Sequence, residues 1–84
     1  MIHRATPKFW AYYNALPKAV QNLADEKYEL LKRDPMHPSL HFKKIGRLWS
    51  CRVGIQYRAL GADSPSGVVW FWIGTHAEYD RLIA

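Results

Sequence analysis

The sequence predicts an α+β fold, in which two N-terminal helices pack on a small antiparallel β-sheet and a short C-terminal helix follows. Two observations predict it. Apolar residues recur at the 3.6-residue period of a helix in the first part of the chain, and they alternate or run together in the second part, as in strands. Prolines mark the ends of the helical segments, and glycines mark the turns between the strand-like ones.

The first part contains two helical segments. Thr6 suits an N-cap with Pro7 at the first helical position, and Pro17 ends this helix because proline disfavours helix in the residue before it. Pro17 then opens a second helix that stops at Pro35. Its apolar stripe predicts an antiparallel helix pair and consists of Ala19, Val20, Leu23, Ala24, Tyr28 and Leu31.

The second part is predicted to form strands at residues 40–45, 48–53, 56–60 and 68–74. Residues 61–67 are rich in turn-forming types, so we expect a loop there. The last strand is continuously apolar, which is typical of a central strand covered on both faces.

Both ends of the chain carry further elements. Residues 2–5 suit a short first strand, and residues 76–82 suit a last helix capped by Thr75. The 84 residues support one domain over 1–84. No apolar run approaches the roughly 20 residues of a membrane span, and the first residues do not resemble a signal peptide. The single cysteine, Cys51, suits a reducing compartment. We therefore expect a cytoplasmic protein.

Basic residues are concentrated in one segment. The chain has twelve Lys and Arg against seven Asp and Glu, a formal net charge of +5, and no acidic residue between Pro35 and Ala62. Such a segment attracts polyanions, although a solvated basic surface would look the same. Its cationic residues are Lys43, Lys44, Arg47, Arg52 and Arg58.

Strand alternation places Ser50 and Arg52 on the opposite face from Cys51. A hairpin centred on Ile55 would set Arg58 directly across from Arg52. Two adjacent arginines repel each other, and an anion between them would remove the repulsion. Lys43 and Lys44 on the neighbouring strand could reach the same surface. These residues predict an anion site on the sheet.

The end of the last strand brings His76 and Tyr79 to this surface. Such a set suits cleavage of RNA, because a 2′-OH can attack its own adjacent phosphate without a metal or cofactor. Histidine can exchange protons near neutral pH, and one arginine guanidinium can bind two phosphate oxygens at the same time. Trp70 and Trp72 would offer stacking platforms for bases if both lie on the open face.

Every one of these residues also admits a structural role. The arginines could pair with Asp63, Glu78 or Asp80, Tyr79 could pack on the sheet, and the tryptophans could belong to the core. Cys51 faces inward and is expected in the core rather than as a nucleophile. A zinc site would draw on His37, His41, Cys51 and His76, but Pro38 breaks the helical spacing between the first two histidines and Cys51 faces inward.

Four motifs together resemble the RelE/ParE superfamily of toxins from bacterial type II toxin–antitoxin modules. The resemblance covers nearly the whole chain, and the order and spacing of the motifs carry it. They read LHFKKI from Leu40, WSCRVG from Trp49, YRAL from Tyr57 and WFWIGTHAEYD from Trp70. The resemblance implies two helices packed on a small antiparallel sheet with an open cleft on the other side.

The resemblance also implies residue roles, because RelE-like members cut messenger RNA in the ribosomal A site. Arg52 and Arg58 match arginines that contact the scissile phosphate, Lys43 and Lys44 match cleft lysines, and His76 with Tyr79 lie where such nucleases transfer protons. We expect catalysis by Arg52, Arg58, His76 and Tyr79. We expect RNA binding by Lys43, Lys44, Arg47, Trp70 and Trp72.

The resemblance leaves three functions open. The first is a metal-independent, ribosome-dependent mRNA endoribonuclease, whose partners would be the ribosome, mRNA and a cognate antitoxin, without a membrane or small-molecule cofactor. The second is a ParE-like, non-enzymatic inhibitor of DNA gyrase. The third is an inactive module, derived from a toxin, that binds RNA or antitoxin.

Overall fold

The computed structural model describes residues 1–83. Within them the predicted α+β fold is confirmed. The strands are β1 (Ile2–Ala5), β2 (Lys43–Ile45), β3 (Leu48–Val53), β4 (Tyr57–Ser64) and β5 (Gly67–Thr75). The helices are α1 (Pro7–Asn14), α2 (Lys18–Arg33) and α3 (His76–Ile83), and a 3₁₀ turn covers Pro38–Leu40. No helix in this part of the chain is long and apolar enough to cross a membrane.

All strands join one sheet in the order β1-β5-β4-β3-β2. The pairs among β2 to β5 are antiparallel, as predicted, but β1 runs parallel to β5. The wholly antiparallel sheet was therefore wrong at this edge. Hairpins dictate the direction of β3, β4 and β5, whereas α1 and α2 separate β1 from its partner and leave its direction free.

The two N-terminal helices pack on one face of the sheet, as expected. The side chain of Thr6 caps α1 by accepting a hydrogen bond from the backbone N–H of Phe9 at 3.1 Å, and α2 ends at Arg33, with Asp34 as its C-cap just before Pro35. Beneath them lies the main core, whose buried members are Leu31, Leu40, Cys51, Val53, Ala59, Val68, Trp70 and Ile73. We call this side of the sheet the helix face.

The predicted loop over residues 61–67 was wrong, because β4 continues to Ser64 and leaves only Pro65 and Ser66 to turn the chain. Gly61 does not form a turn here but allows the side chains of β5 to pack closely against β4. A Cβ atom at this position would lie 2.2 Å from Cγ1 of Val68, so any larger residue would push β4 and its neighbours apart.

The strand predicted over residues 40–45 is shorter than expected. Leu40 belongs to the 3₁₀ turn that Pro38 begins, His41 has a left-handed backbone with φ of +44°, and β2 starts only at Lys43. Leu40 still reaches the core and is fully buried.

A β-bulge in β5 divides its tryptophans between the two faces. Leu60 pairs with Trp72, but Gly61 pairs with Trp70, so Phe71 is an extra residue. The extra residue reverses the alternation, and Trp70 joins the helix face while Trp72 lies on the opposite side with Leu60. We call that opposite side the polar face. It includes Lys43, Ser50, Arg52, Arg58, Leu60 and Trp72.

Candidate functional site

Two arginines lie side by side on the polar face. Arg52 of β3 pairs with Arg58 of β4, as predicted from the hairpin. Arg58 is only 8% exposed, and its guanidinium donates hydrogen bonds to the backbone oxygens of Tyr57 at 2.9 Å and Gly54 at 3.5 Å. Burial and the neighbouring Arg52 charge lower the pKa of Arg58. The sheet therefore holds two close positive charges at a cost in free energy.

Neither arginine forms a salt bridge with a carboxylate in the part of the chain that the structure describes, although Asp80 lies near enough to offset part of the charge on Arg58. Within residues 1–83, the buried Nε of Arg52 has no hydrogen-bond partner. The three carboxylates that could have paired with the arginines bind elsewhere: Asp63 to Lys44, Asp80 to His76 and Glu78 to Thr75. A buried donor without a partner and a cation pair without a salt bridge are features that an anion would satisfy.

The two lysines do not share a surface. Lys43 pairs with Ser50 and lies on the polar face, whereas Lys44 pairs with Trp49 on the helix face. Lys44 binds the carboxylate of Asp63 at 2.9 Å and lies over the Trp49 ring, 5.9 Å from its centroid. We expected both lysines to reach the arginine pair. Lys44 does not, because neighbouring residues on a strand point to opposite faces.

Arg47 is exposed and lies in the turn between β2 and β3. That turn is at the other end of β3 from Arg52. Five residues of strand separate the two backbones by about 17 Å. Arg47 thus lies outside the arginine pair and could contact only a distant part of a long polyanion.

The C-terminal helix lies on the polar face through Tyr79, which is buried and packs with Leu60 and Trp72. The hydroxyl of Ser50, also buried, donates a hydrogen bond of 2.9 Å to the Tyr79 hydroxyl oxygen. This contact anchors α3 to β3. Tyr79 thus has the packing role that the sequence left open, and α3 limits how far the polar face is open.

Thr75 and Glu78 fix where α3 begins, as the predicted cap requires. The Thr75 hydroxyl accepts from the Glu78 backbone N–H at 3.2 Å, and the Glu78 carboxylate accepts from the Thr75 backbone N–H at 3.1 Å. The Thr75 backbone N–H and the Thr75 hydroxyl, which both donate to the Glu78 carboxylate, lower the pKa of Glu78. The cap places His76 at the start of the helix, beside the β3–β4 turn.

His76 is exposed and held at two points. Its backbone N–H donates to the Gln56 oxygen at 2.7 Å, and its Nδ1 lies 3.0 Å from Oδ2 of Asp80. A carboxylate at Nδ1 fixes the tautomer and leaves Nε2 free for a further partner. The His76 ring centroid is 6.2 Å from that of Tyr79. His76 therefore has the setting that proton exchange requires.

The tryptophans do not form a stacking platform. Trp70 is buried among core residues, and its Nε1–H donates to Nδ1 of His3 at 3.1 Å. Trp72 lies on the polar face but is covered by Tyr79 and Tyr12. The shared open face that stacking would need is therefore absent, because the bulge at Phe71 separates the two tryptophans and α3 covers the outer one.

Cys51 is buried in the core, as expected, and burial raises the pKa of its thiol to about 12. Such a thiol is unreactive at neutral pH. Within residues 1–83, no three histidine, cysteine or acidic side chains come close enough to hold a metal ion. The residues named as possible zinc ligands are therefore dispersed.

His41 lies between two residues that pack on the core. Leu40 and Phe42 on either side both belong to the helix face. His41 itself is exposed and ends the 3₁₀ turn with a left-handed backbone, before β2 begins.

No protein-family model matches the sequence, and no curated protein does either. Solved structures do match in three dimensions. A chain of the RelB–RelE antitoxin–toxin complex from Methanococcus jannaschii superposes with a TM-score of 0.72 at 13% identity, covering 96% of this chain and 99% of the other. The isolated RelE toxin of E. coli gives 0.63 at 11% identity, covering 99% and 98%.

The archaeal RelE–RelB complex from Pyrococcus horikoshii gives a TM-score of 0.61 at 18% identity, covering 87% of this chain and 91% of the other. The chain has the RelE toxin fold. The fold resemblance seen in the sequence motifs is thus confirmed over nearly the full length. At these identities the RelE fold is what the likeness shows, and the roles of individual residues depend on the geometry described above.

Proposed function

We propose that this chain is the toxin of a toxin–antitoxin module and acts as a ribosome-dependent endoribonuclease on mRNA. The observation that carries the proposal is the Arg52–Arg58 pair, two adjacent cations with a buried unpartnered donor on the polar face of a RelE fold. A scissile phosphate is an anion that matches this arrangement, because each guanidinium group can bind two phosphate oxygens at the same time.

The proposed reaction requires only groups that the chain and the RNA supply. The 2′-OH attacks the adjacent phosphorus, the bond to the 5′ oxygen breaks, and negative charge grows on the phosphate oxygens. Arg52 and Arg58 would stabilise that charge, and Lys43 on the same face would bind the RNA backbone. His76 would donate a proton to the leaving 5′ oxygen through its free Nε2. Tyr79 would hold α3 in place by its hydrogen bond to Ser50.

We further propose a cognate antitoxin as partner. Solved structures with this fold include complexes of RelE with RelB. The chain carries a net charge of +5 and an arginine pair in which the buried Nε of Arg52 has no hydrogen-bond partner within residues 1–83, so an acidic antitoxin segment would bind this surface by charge complementarity. Such binding would exclude RNA from the same arginines.

The test is cleavage of mRNA on purified programmed ribosomes, read by primer extension. We expect a cut in the A-site codon with the wild-type chain and none with Arg52→Ala. Intact mRNA together with inhibited supercoiling by gyrase would contradict the proposal in favour of a ParE-like inhibitor. Intact mRNA and active gyrase, with RNA or antitoxin still bound, would indicate the inactive binding module.

A further inference from the structure

We infer that Asp80 is a positioning residue of the proposed nuclease, whose carboxylate holds the His76 imidazole by Nδ1 while Nε2 transfers the proton. The inference rests on the proposed function and adds a residue that the sequence suggested only as a salt-bridge partner of the arginines. Its basis is a direct contact, because Nδ1 of His76 lies 3.0 Å from Oδ2 of Asp80.

The backbone of His76 and its ring are held by different groups. The Thr75–Glu78 cap begins α3 at His76, and the backbone N–H of His76 donates to the Gln56 oxygen at 2.7 Å. The backbone is thus fixed against the β3–β4 turn, but the imidazole could still rotate. Residue 80 lies one helical turn further on and on the same side of the helix. Its carboxylate therefore fixes the ring itself.

Helix stability does not explain this pair. A cation stabilises a helix near its C-terminus and an anion near its N-terminus, whereas here the histidine comes first and the aspartate follows. Both side chains are also exposed, His76 by 46% and Asp80 by 58%. Exposed ion pairs stabilise a fold only weakly. A role in orienting the imidazole accounts better for the contact.

Asp80 also lies close to the proposed phosphate site. Burial and the Arg52 charge lower the pKa of Arg58, and Tyr79 and Asp80 offset part of that shift. The Tyr79 hydroxyl accepts a hydrogen bond of 2.9 Å from Ser50 of β3, which fixes the preceding residue of α3 on the polar face. The carboxylate therefore reaches both the histidine and the arginine pair.

The contact can persist through the proton transfer. A protonated His76 carries hydrogen on both ring nitrogens. As the P–O5′ bond breaks, O5′ takes the proton from Nε2, and the other proton stays on Nδ1 in its hydrogen bond to Asp80. Asp80 remains ionised, and water later restores the proton on Nε2. The carboxylate thus favours the imidazolium before the step and one neutral tautomer after it.

The test is Asp80→Asn, which keeps the shape of the side chain and removes its charge. In single-turnover cleavage on programmed ribosomes we expect a rate about five- to tenfold lower, a smaller loss than the roughly 10²–10⁴ expected for His76→Ala. Binding of a 2′-deoxy oligonucleotide should not weaken, because the change removes a negative charge beside Arg58. A purely structural role would reduce binding and rate together.

A double variant shows whether Asp80 acts through His76. In a His76→Ala background, Asp80→Asn should cost no further rate. The matched control is Asp25→Asn in α2. It removes another exposed carboxylate, one that accepts a hydrogen bond of 2.8 Å from the Tyr13 hydroxyl. We expect this control to cleave at the wild-type rate.

Nitrogen NMR of the imidazole tests the contact without any cleavage. The neutral His76 ring of the wild-type chain should carry its proton on Nδ1, whereas an imidazole free in water carries it mainly on Nε2. In Asp80→Asn the ring should shift toward the form protonated on Nε2, because the hydrogen bond at one ring nitrogen decides which nitrogen keeps the proton.

The outcomes separate this inference from the proposed function. The role of Asp80 alone would be overturned if the wild-type chain cleaves and Asp80→Asn is equally fast, binds the oligonucleotide more weakly, or slows the His76→Ala background further. A wild-type His76 whose neutral ring is protonated on Nε2 would also overturn it. A wild-type chain that does not cleave would overturn the proposed function, and with it the catalytic role of this contact.

Discussion

The helix face of this sheet buries an apolar core, whereas the polar face buries Ser50 and Arg58 beside a small apolar cluster of Leu60, Trp72 and Tyr79. On the helix face, β3, β4 and β5 contribute Cys51, Ala59 and Trp70 to an apolar core. On the polar face the same strands bury Ser50 and Arg58 under or beside α3. One face thus stabilises the fold by removing apolar surface from water, and the other keeps two cations together at a cost. The comparison indicates that stability and function can be changed separately.

The largest effect should come from the helix face. Trp70→Ala removes a buried ring from the core and the hydrogen bond to His3, so we expect a loss of about 3–5 kcal/mol in the free energy of unfolding. Urea denaturation measures it. Ile55→Ala is the control, since Ile55 is 86% exposed and its loss should change stability by less than about 0.5 kcal/mol. A stable Trp70→Ala chain would contradict the division between the faces.

The next effect belongs to the polar face. Arg52→Ala should slow cleavage by about 10²–10³, or roughly 2.7–4 kcal/mol of activation free energy. The melting temperature should not fall, because the change also removes repulsion at Arg58. Cleavage assays and thermal denaturation on the same preparation test both parts. A melting temperature many degrees lower would show that Arg52 is structural.

A smaller effect is expected where α3 meets the sheet. Ser50→Ala and Tyr79→Phe each remove the same buried hydrogen bond, so each should cost about 0.5–1.5 kcal/mol in unfolding free energy. The double variant should cost little more than either single one, and a double-mutant cycle in urea measures this. Fully additive losses would mean that the two hydroxyls do not depend on each other.

The two neighbouring lysines sharpen the comparison further. Lys43→Ala on the polar face should reduce the salt dependence of binding to a 2′-deoxy oligonucleotide by about 0.7 in the log–log slope, the value for one contact to a single strand. Lys44→Ala on the helix face should leave that slope unchanged. Equal reductions for both lysines would show that the RNA path passes around the edge of the sheet.

The smallest effect is the pH dependence of stability that comes from His3, which bonds to Trp70 on the helix face. Burial lowers the pKa of His3, with help from the N-terminal charge and Lys32, and its Nδ1 accepts from Trp70. The fold therefore favours neutral His3, and stability should be full above the unfolded-state pKa of 6.5 and fall as pH drops below it toward the folded pKa.

His3→Gln keeps an acceptor for Trp70 but cannot titrate. Urea midpoints at neutral and mildly acidic pH should differ less for this variant than for the wild-type chain. If the two chains lose stability equally on acidification, then another group is responsible.

The spacing of apolar residues, together with the prolines and glycines that end each segment, was enough to predict most of the fold and part of the site. The pairing of Arg52 with Arg58 followed from strand alternation and a short hairpin, which are local rules. Local rules could not predict that Trp70 and Trp72 lie on opposite faces of the sheet, because the bulge at Phe71 depends on the register of β5 with β4. Gly61 resembled a turn residue for the same reason, since its neighbours in space come from β5.

The site showed the same limit. Sequence spacing identified His76 and Tyr79 as neighbours at the end of the last strand, but it could not show that Ser50, 29 residues earlier, bonds to Tyr79. Lys43 and Lys44 looked equivalent as charges and differ only by the face on which they lie. Contacts between distant parts of the chain decided each of these points.

The edge strand β1 has a consequence for the order of events during synthesis. Its partner is β5, so the hydrogen bond between His3 and Trp70 joins residues 67 positions apart in an 84-residue chain. A ribosome makes the chain from the N-terminus, and β1 must wait unpaired until almost the whole sequence has emerged. His76 and α3 follow β5 in the chain and are likewise made late. A nascent chain therefore cannot form the complete sheet before β5 has been made, and α3 can dock on the polar face only after that.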